Sequence, residues 1–318
     1  MPNHPAHPAT RLLRRLPLAA ALFLATLALG ACSAGDARST ASERITLAYL
    51  PSEEDPEGRM EAFEALASYL GERLGVQVDL LKATSYAPTI EAMRAGKIDV
   101  IRAGGSFTYM IAHEKADAQA IVAVGTQEGP GLYRSGIVAH PGSGIESLEQ
   151  LVARAGELDF AFVDPASTSG HLIPRSLLER EGLDPEADFA RLVFTMNHTN
   201  SAMAILSGKV HAGAISMSTY DRLIEAGRME PDDLVVLWRS DPIPTGPVMV
   251  RHDLPEHLKT GIRDAYLALN DSSHPVYAAM QQVYAREDLR FFAAEDSDWD
   301  GLRRIAWNLD SIQLLSER

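Results

Sequence analysis

The sequence predicts an α/β protein of two lobes joined by two crossing segments. Three observations lead there. Strand-like and helix-like segments alternate along most of the chain, the order that builds mainly parallel sheets with helices on their faces. About 275 residues follow the first 43, large for one core and comfortable for two. The alternation breaks and resumes after Gly131, and an extended run, PIPTGPVMVR at 242–251, leads into C-terminal helices.

Taken in order, residues 45–50 read as the first strand. Met60, Phe63, Leu66, Leu70 and Leu74 then recur at helical spacing, and Gly75 stops that helix. A strand at 76–81, a helix at 86–95, a strand at 98–103, a helix at 106–114 and a strand at 120–124 follow. After Gly131 come a strand at 136–140, a helix near Leu148 and the apolar strand Phe160-Ala161-Phe162-Val163 with a helix behind it. A strand at 192–195, a helix at 201–207 and a strand at 210–215 continue the pattern, and the rest reads as mostly helical. The chain is expected to cross near Tyr133 and again near Pro244 to Pro247. Lobe 1 then takes residues 44–132 and 246–318, and lobe 2 takes 133–245.

Residues 1–31 read as a signal segment outside the fold. Arg11, Arg14 and Arg15 form a basic start, and 16–29 is an apolar run too short to span a bilayer comfortably. It ends in Leu29-Gly30-Ala31-Cys32. This resembles the bacterial lipobox, in which the Cys becomes the acylated first residue; a plain signal peptide with a chance Cys is the alternative. Cys32 is the sole cysteine, so no disulfide framework exists. Residues 32–43, small and polar, read as a flexible tether. The first 31 residues carry three of the 29 Lys+Arg and no acid, which leaves the remainder at −17 against 43 Asp+Glu. Nucleic acid needs a basic footprint and is excluded as a partner. A small anion held by neutral dipoles in a cleft is not.

In open α/β sheets ligands bind beyond the carboxyl ends of strands, and four such ends carry polar clusters. Asp164-Pro165 stops the 160–163 strand, and Ser167-Thr168-Ser169-Gly170 precedes a helix. Helix starts offer unpaired N–H groups and partial positive charge, so three hydroxyls there suit an anion; an ordinary N-cap is the alternative. Gly104-Gly105-Ser106 reads as a second anion-facing turn or a Ser-capped βα turn. Tyr86 after Thr84-Ser85 either donates a phenol or packs. His198 in Asn197-His198-Thr199-Asn200 either donates to an oxyanion or belongs to a capping cluster. Asp164 is a candidate acceptor for a ligand proton or a plain Asx turn, and His171 a neighbour of the loop or a surface residue. There is no G-x-S-x-G elbow and no phosphate loop with its Lys, and the ten His show no H-x-x-x-H or H-E-x-x-H spacing. No enzyme, cofactor or metal is expected.

Five patches together resemble the periplasmic binding proteins of ABC transporters for phosphate, phosphite and phosphonates: YAPTIEAMRAGKIDV, GSFTY, VDPASTSGHLIP, NHTNSAMAILSGKVHAGAIS and IPTGPVMVRHDLP. The resemblance implies the two-lobed type II periplasmic-binding-protein fold and capture of a phosphorus oxyanion by lobe closure. It implies that Ser167, Thr168 and Ser169 hold the oxyanion, assisted by Tyr86 and His198; Ser106 is expected to join from lobe 1. A membrane permease and ATPase are the implied partners, with a lipid anchor at Cys32 in the periplasm. A subunit feeding a sensor, or a binder of another organic anion, fits the same residues. Two departures stand out. Ala103 occupies a place that is often aromatic in the family. Tyr220 and Gly246 occupy places that are acidic where an aminoalkyl phosphonate is bound, so Tyr220 is expected to close the pocket there.

Overall fold

The computed structural model describes residues 44–50, 59–102, 104–284 and 286–307. The signal segment, the tether, Cys32 and Ala103 lie outside the described residues. Strand β1 (Arg44–Tyr49) lies inside the first sheet and is apolar on both faces: Ile45, Leu47 and Tyr49 enter one core, Ala48 another. Helix α1 (Arg59–Leu74) packs Phe63, Leu66 and Leu70 on the first of these, and β2 (Gln77–Lys82) returns parallel to β1. Next come α2 (Tyr86–Arg94), β3 (Val100–Arg102), α3 (Ser106–Ala116), β4 (Gln119–Thr126), β5 (Gly129–Pro130) and β6 (Leu132–Tyr133).

The second sheet begins with β7 (Ser135–Ala139), α4 (Leu148–Ala153) and β8 (Asp159–Phe162). It continues through α5 (Ile173–Arg180), α6 (Pro185–Asp188), β9 (Arg191–Phe194), α7 (His198–Leu206), β10 (Ala212–Ser216), α8 (Met217–Glu225) and β11 (Val235–Arg239). Then β12 (Ile243–Pro244) and β13 (Val248–Val250) lead back to α9 (Glu256–Ala268), α10 (Pro275–Tyr284), β14 (Arg290–Ala293) and α11 (Asp300–Trp307). The first sheet runs β14-β4-β13-β3-β1-β2 with β5 on β4, and the second runs β11-β7-β10-β8-β9. The two crossings pair with each other: β6 and β12 form an antiparallel ribbon, Tyr133 opposite Ile243.

Both sheets are mixed rather than mainly parallel. The pairs β1/β2, β1/β3, β8/β9 and β8/β10 are parallel, as the β-α-β order requires. The flanks are antiparallel, because β13 re-enters the first sheet against β3 and β4 after the second crossing, and β7 enters the second directly from the first crossing, with β10 and β11 both antiparallel to it. The C-terminal stretch expected to be helical also supplies β14, paired with β4. At the amino-terminal end of β3, Asp99 accepts from Thr46 N (2.8 Å) and pairs with Arg251 (2.7 Å), tying β1, β3 and β13 together.

Candidate anion-binding site

Beyond β8 the chain turns sharply. Asp164 Oδ1 accepts from Ala166 N (2.8 Å) and Asp164 O from Ser167 N (2.8 Å), an Asx-type turn. A π turn, Thr168–Leu172, follows and feeds α5, with Leu172 N donating to Ser167 O at 3.0 Å. Such wide turns recur at functional sites because they push side chains out of helical register. Ser167 caps the turn, its Oγ accepting from Gly170 N (3.1 Å). A Cβ on Gly170 would lie 2.3 Å from Val163 Cγ2, so no larger residue fits there. Thr168 Oγ1 accepts from Phe107 N (2.8 Å), and Ser169 Oγ is buried with no hydrogen-bond partner. One hydroxyl therefore does the capping. All three keep a proton to donate, since an accepting hydroxyl oxygen can still donate its hydrogen.

Four more helix starts surround this loop. Tyr86 opens α2, and its N–H donates to Asp164 Oδ2 (3.4 Å); burial pushes its phenol up, which keeps it a protonated donor. Gly105 is the N-cap of α3, and a Cβ there would sit 2.4 Å from Thr168 Oγ1. Thr108 on that helix donates to Ala166 O (3.0 Å). His198 opens α7; its Nδ1 accepts from Ser216 N (2.9 Å), so the ring proton of the neutral form belongs to Nε2. Burial holds His198 down to about 4, which keeps the ring neutral. Ser216 itself caps α8. The N-terminal ends of these helices add partial positive charge around one space.

That space is a cavity of about 870 Å³, counted with its opening to solvent. The first sheet's side supplies Tyr86, Arg102, Tyr284 and Arg286; the second's supplies the hydroxyl loop, His198, Ser216 and Arg222. Tyr133 and Gly246, from the crossing segments, complete it. Burial raises the Tyr133 phenol, which stands beside the Thr168 and Ser169 hydroxyls. Burial also lowers Arg222, to about 10, which still leaves it charged at neutral pH. No described residue lining the cavity is acidic. Neutral donors, helix ends and three guanidinium groups together suit an anion rich in acceptor oxygens.

Five of the expected residues meet here, Ser167, Thr168, Ser169, Tyr86 and His198, and Gly246, one of the two departures from the family pattern, lines the cavity with them. Two stand elsewhere. Ser106 is buried, and its hydroxyl donates to Pro244 O, pinning α3 to the second crossing instead of facing the cavity. Tyr220 packs in the core beneath α8, its hydroxyl donating to Pro231 O (2.6 Å). Helical spacing explains this: Ser218 and Arg222, four apart, line the cavity, and Tyr220 lies between them on the other face. Asp164 is not in the lining, and both its oxygens accept from backbone N–H groups. His171 is buried, its Nδ1 2.9 Å from Pro165 O and its Nε2 3.3 Å from Arg175 Nη1, so it props the loop from behind. Sequence reasoning missed Tyr133, Arg102, Arg222, Tyr284 and Arg286.

Two sheets joined by a paired crossing ribbon, with an anion-suited cavity between them, define a two-lobed periplasmic binding protein. The family model for the periplasmic phosphonate-binding protein of ABC transporters matches residues 47–299, and the chain belongs to that family. It is 32% identical over 251 residues to the phosphate-import protein PhnD of Mycolicibacterium smegmatis, covering 74% of this chain and 76% of that one. It is 30% identical over 195 residues to the phosphonates-binding periplasmic protein of Escherichia coli, 61% of this chain and 57% of that one. The solved binding-protein component of an ABC phosphonate transporter from Pseudomonas aeruginosa superposes with a TM-score of 0.73 at 26% identity, covering 83% of this chain and 85% of that one. No helix among the described residues is long and apolar enough to cross a membrane.

Proposed function

We propose that this chain captures a small phosphorus oxyanion, without turnover, and delivers it to an ABC permease and its ATPase. Residues 44–132 with 246–318 act as one lobe and 133–245 as the other, closing about the β6/β12 ribbon. Residues 1–31 direct export, and a lipid on Cys32 holds the tethered protein at the membrane. The observation that carries the reading is the hydroxyl loop standing among five helix starts, in a cavity with no acidic lining among the described residues. Ser167, Thr168 and Ser169 donate to the oxyanion, with Tyr86, Tyr133 and the Nε2–H of His198. The ligand touches both lobes, so it binds the closed form better and shifts the population toward it.

The named relatives span phosphate import and phosphonate binding, and the cavity's charge favours the anionic end of that range. With Ser218 and Arg222 where α8 faces the cavity, the described lining provides no carboxylate for a ligand amine. An aminoalkyl phosphonate is therefore a poor fit. A thermal-shift panel of phosphate, phosphite, methylphosphonate, aminoethylphosphonate and sulfate tests this. A true ligand at about 100 times its Kd stabilises by about 2.7 kcal/mol. No shift with any phosphorus oxyanion, or a larger shift with aminoethylphosphonate than with methylphosphonate, sinks the reading.

A further inference from the structure

Four buried side-chain polar atoms among the described residues have no hydrogen-bond partner. One, Ser169 Oγ, belongs to the hydroxyl loop. The other three lie together on the first sheet's side: Arg102 Nε, Tyr284 Oη and Tyr266 Oη. The Arg102 guanidinium carbon sits 4.3 Å from the Tyr284 ring centroid; the guanidinium is near enough to draw the phenol down against the larger effect of burial, but neither Arg102 Nε nor Tyr284 Oη has a partner in hydrogen-bond geometry. Tyr266 is fully buried next to both. Native proteins rarely leave such groups unpaired, and each calls for a cause. Burial pushes both phenols up, so both stay protonated. All three groups then carry a hydrogen to donate, and none of those hydrogens finds an acceptor among the described residues.

Arg102 and Tyr284 line the same cavity as the hydroxyl loop, with Arg286 beside them and Arg222 opposite. Resting on the oxyanion reading above, we infer that the ligand carries a second anionic group, a carboxylate joined to phosphorus through a short carbon linker, and that Arg102 and Tyr284 hold it. A carboxylate matches the site: it is an acceptor only, it takes several donors at once, and its single charge matches one guanidinium. Tyr266 backs the pair from the core. The phosphonyl end occupies the hydroxyl loop, so the ligand spans from one lobe to the other.

The test is calorimetry on the purified protein with methylphosphonate, phosphonoacetate, 3-phosphonopropionate and aminoethylphosphonate. One of the two carboxylate ligands is expected to bind at least tenfold more tightly than methylphosphonate. Tyr284→Phe keeps the ring under Arg102 and removes only the hydroxyl. It is expected to erase most of that advantage while leaving methylphosphonate affinity within about twofold. Thr168→Val is expected to weaken all the phosphonates together. If methylphosphonate binds and neither carboxylate ligand binds better, the second-group inference is overturned and the oxyanion reading stands. If the advantage is present but survives both Tyr284→Phe and Arg102→Gln, the assigned residues are wrong. If none of the four ligands binds, the oxyanion reading fails and takes this inference with it. Thermal melts of the unliganded variants separate folding from binding, because a merely structural role moves the melt and leaves the ligand ratio unchanged.

Discussion

His198 commits Nδ1 to the Ser216 amide, which leaves Nε2–H as its one donor to the cavity. A hydrogen bond to a charged ligand contributes about 1.5–3 kcal/mol. His198→Ala is accordingly expected to weaken oxyanion binding by about 10- to 100-fold in calorimetry, and unchanged affinity removes His198 from the site. The same residue makes stability depend on pH. Burial holds both His198 and His171 down to about 4, whereas an unfolded His titrates near 6.5. The unfolded chain then takes up protons first as pH falls. Stability is full above about 6.5 and declines toward pH 4, by up to about 3 kcal/mol for each ring. Denaturant midpoints at pH 7, 6, 5 and 4.5 check this, and a flat profile from 7 to 5 contradicts it. At this scale the hydroxyl loop was legible because its donors are contiguous behind a buried strand. Arg102 and Tyr284 were not: they stand 182 positions apart, and nothing local marks an Arg in a strand or a Tyr at a helix end as lining a cavity.

Among the elements, α3 is set by what its N-cap lacks. Gly105 has an ordinary extended backbone, so its requirement is not conformational strain but the closeness of Thr168 across the cleft. Gly105→Ala is expected to fold, with the melting point changed by only a few degrees, and to lose about tenfold or more in ligand affinity because Thr168 and Phe107 N can no longer meet. Gly104→Ala is the control, since a Cβ there has ordinary contact with Tyr86 at 3.5 Å. Equal affinities for the two variants contradict this account. The β-α alternation made most elements readable, and α1, α2 and α3 begin close to where their apolar spacing and Gly stops place them. The elements read least well are those that need tertiary partners. Strand β14 forms because β4 offers it an edge, and the face of α8 toward the cavity follows from a helical register not read there. Without that register Tyr220 looked like a pocket residue, when its neighbours two positions either side are the ones that line the cavity.

Over the whole molecule, the charge is arranged inside out. Residues 32–318 carry −17, yet the cavity lining holds three arginines and no acid among the described residues. Any dianion approaching from afar is repelled, and only within the cleft does it meet attraction. Salt screens the long-range part most, over about 10 Å at 0.1 M. The association rate is therefore expected to rise, by about two- to fivefold between 10 and 150 mM salt. Stopped-flow measurement checks this, and a steep fall with salt shows that the arginines reach beyond the mouth. The two-lobe architecture itself was readable from the break at Gly131 and the Pro-rich return. The antiparallel flanks were not, since strand direction at a crossing is decided by which edge the returning chain finds.

The loop from Asp164 to Thr168 does more than face a ligand: it takes the amide hydrogens of Tyr86 and Phe107 from across the cleft. In terms of hydrogen exchange, the proposed closure has a signature in those two amides: parting of the lobes would release both to solvent, and closure would shield both. Their exchange should slow together on adding ligand, in proportion to occupancy, while amides inside β1 do not change. On the proposed closure, two backbone positions give a label-free measure of how often the lobes part.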